Sequence, residues 1–156
     1  MKHLLIMSIA LALISSGETL ARIGGTVAEF QASEFSDNFE LRLNSSGSEA
    51  AAFHGKSDVM VALFNGSDGK VVKQRLKWLG NNFPKGEVAL LTMITFCMEA
   101  TGTKDSDEDR NVLVDKMVDA LGDNPTFKFR GYNILIGLLD DPISGMKDHL
   151  TVEVSK

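Results

Sequence analysis

The sequence predicts an α+β fold, a mainly antiparallel sheet with two central helices packed on one face. Three observations carry this. Short segments near both ends of the mature chain alternate apolar and polar residues, as in Phe39 to Leu43 and Leu150 to Val154. Two longer stretches in the middle, 86–101 and 107–121, have helical features, and glycines stand at their far ends. A turn cluster, Asn65-Gly66-Ser67-Asp68-Gly69, separates two strand-like runs. The chain has 156 residues with 44% hydrophobic side chains, which is enough to build one core and excludes wholesale disorder.

The N-terminus reads as a signal peptide over residues 1–21. Lys2 precedes an apolar run from Leu4 to Ile14, and small and polar residues follow to Ala21. The run falls well short of the ~20 residues that cross a bilayer as a helix, so cleavage is expected after Ala21, or after Gly17, with no membrane anchor afterwards. Residues 22–156 then form a single α+β domain. Cleavage removes one base, Lys2, and one acid, Glu18, and leaves the net charge at −5. An acidic domain is repelled by phosphate backbones and anionic lipid surfaces, which argues against nucleic acid as a partner.

Along the mature chain, Phe39, Leu41 and Leu43 alternate with Glu40 and Arg42 as a half-buried strand ending at Asn44-Ser45-Ser46-Gly47-Ser48. Ser48 to Lys56 is small and polar around Phe53 and reads as a loop or short helical turn. Asp58 to Phe64 is an apolar, β-branched strand leading into the 65–69 turn. Beyond it Val72, Gln74, Leu76 and Trp78 alternate with Lys73, Arg75 and Lys77, which predicts a returning strand with three cations on one face. A helix competes for this segment, because Val72, Leu76 and Leu79 also share a helical stripe that Gly80 would cap.

Gly86 to Thr101 is apolar almost all round, so as a helix it must be covered on more than one side. The next helix, about Asp107 to Leu121, places Leu113, Met117 and Leu121, flanked by Val114 and Val118, opposite Asp115, Lys116 and Asp119. Asp123-Asn124-Pro125 then turns the chain. Phe127 to Leu139 and Leu150 to Val154 complete the sheet as two strands joined through Ile143-Ser144-Gly145.

Few residues suggest chemistry. Asp105, Asp107 and Asp109 begin like a calcium loop, but Arg110 and Lys116 stand where the sixth-position glycine and twelfth-position glutamate belong. The run therefore reads as a solvated start to a helix, with Ser106 or Asp107 as cap. Cys97, the one thiol, lies in VALLTMITFCM and is expected to be buried and unreactive. Only His54 and His149 remain after cleavage, and no nucleophile elbow, zinc-protease or phosphate-loop motif occurs. Two glycosylation sequons begin at Asn44 and Asn65, both on expected turns.

These readings point to a secreted or periplasmic small binding protein, of inhibitor, immunity or accessory type, whose partner is a basic protein. Asp105, Glu108 and Asp109 form an exposed acidic run assigned to the partner. Lys73, Arg75, Lys77 and Trp78 form a second candidate face. No catalytic residue, metal ligand or cofactor is assigned. A carrier of an apolar small molecule is the alternative, with Met93, Phe96 and Met98 lining a cavity between helix and sheet. A small hydrolase using His54 or the acidic run is the third reading.

Overall fold

The computed structural model of the protein describes residues 22–79, 86–103, 106–121, 125–139 and 149–156. Within them the fold is α+β, a seven-stranded antiparallel sheet with helices on one face. The first described elements are two short helices, α1 (Val27–Gln31) and α2 (Glu34–Asn38). Strands β1 (Arg42–Ser46), β2 (Ala50–His54), β3 (Val59–Asn65) and β4 (Val71–Trp78) follow as a meander. Helices α3 (Gly86–Thr101) and α4 (Asp107–Ala120) come next, then β5 (Thr126–Phe129), β6 (Tyr132–Leu139) and β7 (His149–Ser155). The strand order is β1-β2-β3-β4-β7-β6-β5, so the last strand closes the sheet between the two halves.

Period-two alternation fixes which face is buried. Phe53, Val61, Leu76, Val152 and Ile136 are register partners in one row across five strands, and all are fully buried. Phe53 meets Phe30 of α1 at 5.1 Å between ring centroids, Phe30 meets Phe35 of α2 at 6.3 Å, and Phe35 meets Phe96 of α3 at 5.7 Å. These tilted aromatic contacts link the sheet to three helices through one core. The short helices exist because their first turns are capped. Thr26 and Glu29 form a reciprocal capping box on α1, and Ser33 caps α2.

Segment 71–78 is a strand, as the alternation of its cations predicts, and the turn before it closes with Gly69 at φ 74 and Gly66 N–H donating to the Lys70 carbonyl at 2.8 Å. Helix α3 spans the predicted residues and contacts both the sheet and α4. Cys97 within it is fully buried, and burial pushes its thiol well above the ordinary range.

Four expectations are corrected. Ser48 to Lys56 contains strand β2, not a loop. Its run of three alanines hides the alternation, and pairing to β1 and β3 on either side holds it extended. The strand expected at Phe39 begins only at Arg42, because Phe39 ends α2 and its ring packs on Phe35 at 4.8 Å. Asn44 consequently lies within β1 and not on a turn. The C-terminal part has three described strands instead of two, since Arg130 (φ 50) and Gly131 (φ 83) reverse the chain between β5 and β6. On α4 the third inward residue is Ala120, while Leu121 and Val118 are more than half exposed. The expected turns at Asp123-Asn124 and Ile143-Ser144-Gly145, and the signal-peptide segment, lie outside the described residues.

Candidate functional site

The candidate surfaces arise from how each element divides its residues between core and solvent. On α4, Asp109, Leu113, Met117 and Ala120 recur at spacings of four, four and three, and all are buried. Asp109 thus occupies the inward stripe beside the apolar residues. Its carboxylate accepts from Arg130 Nε at 3.1 Å, from Arg130 Nη2 at 2.8 and 3.0 Å, and from the Ser106 hydroxyl at 3.0 Å. Ser106 in turn caps the helix by accepting from the Asp109 N–H. This network fastens the start of α4 to the β5–β6 turn. Asp109 is only 8% exposed, which corrects its expected place in a solvent-facing acidic run. Glu108 is exposed as expected, and Asp105 lies outside the described residues.

The outward face of α4 carries a different set. Glu108, Val112, Asp115 and Asp119 recur at spacings of four, three and four, with Val118 beside them, and all are exposed. Acidic and apolar side chains therefore share one stripe. Val118, expected to flank the core stripe, is instead exposed on this outward face. Over the four helices together, ten carboxylates stand against two cations, Arg110 and Lys116.

Where α2 approaches α3, Glu99 is largely removed from water and faces the charge of Glu34. Burial first, and repulsion by Glu34 second, raise its carboxyl to about 6.

The second predicted face is divided by the register of β4. Lys73 and Arg75 point away from the helices. Arg75 donates through Nε and Nη2 to one Glu153 oxygen at 2.8 and 2.5 Å, and Lys73 lies 3.7 Å from the same oxygen. Both cations cover the Phe64 ring, at 4.3 Å for Lys73 and 5.3 Å for Arg75. Lys77 shares that face by register but is 6% exposed. Trp78 faces the other way, opposite Val59, and is 2% exposed, so it belongs to the core and not to the basic face. One residue of register separates these two outcomes.

His54 is exposed on β2, and its register neighbours Arg42 and Met60 supply neither a carboxylate nor a nucleophile. Met93, Phe96 and Met98 are each at most 2% exposed and belong to the continuous core. Among the described residues no three His, Cys, Asp or Glu side chains gather as metal ligands, and no described helix is long and apolar enough to cross a membrane. No family model, curated protein or solved structure matches this chain.

Proposed function

We propose that the protein acts by binding, as a secreted or periplasmic inhibitor, immunity-type or accessory protein, and that a basic protein docks on the outward face of α4. The observation that carries this reading is the mixed stripe of Glu108, Val112, Asp115, Val118 and Asp119. Carboxylates there give steering and register, while the valines supply apolar surface that leaves water on contact. The acidic excess of the whole helical layer adds a longer-range field of the same sign. Arg130 holds the base of α4 through Asp109, so the stripe is presented on a fixed helix and its side chains need little ordering on binding.

The test compares wild-type protein with the E108Q/D115N/D119N variant as baits in the extracytoplasmic fraction, with mass spectrometry of what each retains. A basic protein held by wild type and lost by the variant supports the reading. Its association rate should fall as salt rises, because the screening length shrinks from about 10 Å at 0.1 M to about 3 Å at 1 M. Equal retention by the two baits, or a salt-independent rate, overturns it.

A further inference from the structure

The face of the sheet turned away from the helices carries the opposite charge. Among the described residues, Arg42, Lys73, Arg75 and Lys128 reach solvent there against one carboxylate, Glu153, while Lys77 and Thr151 of the same face are buried. The buried side chains of all four helices join the core built on the inward face. Charge is thus sorted across the sheet, acidic on the helical side and basic on the other.

We propose that this outward face is a second docking surface and that its occupant is an acidic polypeptide segment. Its most specific feature is the register row Lys73, Ser155, Asn133, Lys128. Three inter-strand steps separate the two lysines, roughly 14 Å, which is the span of about four residues of extended chain. An extended segment lying across the strands with carboxylates four residues apart meets a lysine at each, and Ser155 and Asn133 offer side-chain hydrogen bonds between them. Half-buried Phe64, opposite Lys73 and covered by the two cations, and half-buried Ala62, opposite Arg75, underlie the end of the row.

The same residues disfavour a lipid surface. The half-buried Phe64 ring lies beneath Lys73 and Arg75 and offers little apolar surface to acyl chains, and a few charges without insertion hold a protein weakly. Glu153 at the centre of the patch opposes a uniformly anionic plane, whereas a polypeptide can set a neutral donor against it. Arg75 is already fixed by Glu153 and the ring, so the centre of the patch is preorganised for a shaped partner.

The probe is fluorescently labelled poly-L-glutamate, with binding followed by anisotropy in low-salt buffer. The purified protein is expected to bind it, and K73Q/K128Q should weaken binding about tenfold. E153Q should tighten binding severalfold, an increase that damage to the fold would not produce. E108Q/D115N/D119N should bind at least as well as wild type, which separates this surface from the α4 stripe. No binding by wild type, or identical binding by wild type, K73Q/K128Q and E153Q, overturns the proposal. So does cosedimentation with phosphatidylglycerol vesicles without poly-L-glutamate binding, which would assign the face to a bilayer. Self-association abolished by K73Q/K128Q without poly-L-glutamate binding would assign it to a second copy of the chain.

Discussion

The two long helices, α3 and α4, contact each other and the same sheet, yet nine of the sixteen residues of α3 are buried against four of the fourteen in α4. Their charges follow that difference. Helix α3 carries only Glu87 and Glu99, one near each end, whereas α4 carries seven charged residues along its length. A helix covered on several sides has no solvated stripe on which to place an ionised group, so charge is pushed to its termini. A helix covered on one side can display a patterned surface at little cost to stability, and its least exposed charges are partnered, Asp109 by Arg130 and Arg110 by Asp107. Stability should therefore reside mainly in α3 and recognition in the outward stripe of α4.

The largest effect should come from the centre of α3. Phe96→Ala removes a ring that is 1% exposed and packed on Phe35, and should destabilise the protein by about 3–5 kcal/mol in urea unfolding. A loss below about 1 kcal/mol would mean that α3 is not the principal core element. An intermediate effect is expected at the most buried charge of α4, Asp109. Asp109→Asn keeps the shape of the side chain but weakens three contacts to Arg130, and should cost about 1–2 kcal/mol, limited by the exposure of Arg130. Faster amide exchange at the start of α4 and at the β5–β6 turn should accompany it. Unchanged exchange there would sever the proposed link between the two elements.

The smallest effect, and the one with a distinctive pH signature, concerns Glu99. Its folded carboxyl titrates near 6, above the ordinary 4.5, so the folded state favours the protonated form. The stability this contributes is fully present below about 4.5 and is lost as pH rises through 6. Glu99→Gln should accordingly stabilise the protein by about 1 kcal/mol at pH 7.5, after allowance for partial exposure, and by little at pH 4.5. A gain that is the same at both pH values would show that the carboxyl is not held protonated by its surroundings.

How legible these elements were depended on how much of their determining context was local. Helix α3 and the β3–β4 hairpin were readable because an apolar run with a terminal glycine, and a turn rich in positive-φ residues, are written within a few positions. Strand β2 was not. Alanine carries little β preference, and only neighbouring strands on both sides make that segment extended. The short helices α1 and α2 have cap residues at Thr26, Glu29 and Ser33 that a search for longer periodic stretches passes over. The candidate surfaces were half visible: spacing put Glu108, Asp115 and Asp119 on the outward side of α4 and Lys73 and Arg75 on one face of β4, but the burial of Asp109 and Lys77 was not legible.

What the sequence by itself determined is therefore the class of fold, the alternation that gives each strand two faces, the two long helices and the excess of acid over base. All of these follow from spacing along a chain whose local geometry repeats every two or every 3.6 residues. The tertiary structure decided the rest. It buried Lys77 on the face of β4 that Lys73 and Arg75 share, and buried Asp109 by bringing it Arg130, a partner twenty-one positions away. It also gathered Arg42, Lys73, Arg75 and Lys128 from strands far apart in the chain onto one face. Pairing across a sheet joins residues without regard to their separation in sequence, so the sign and shape of a surface emerge only when the strands are in register.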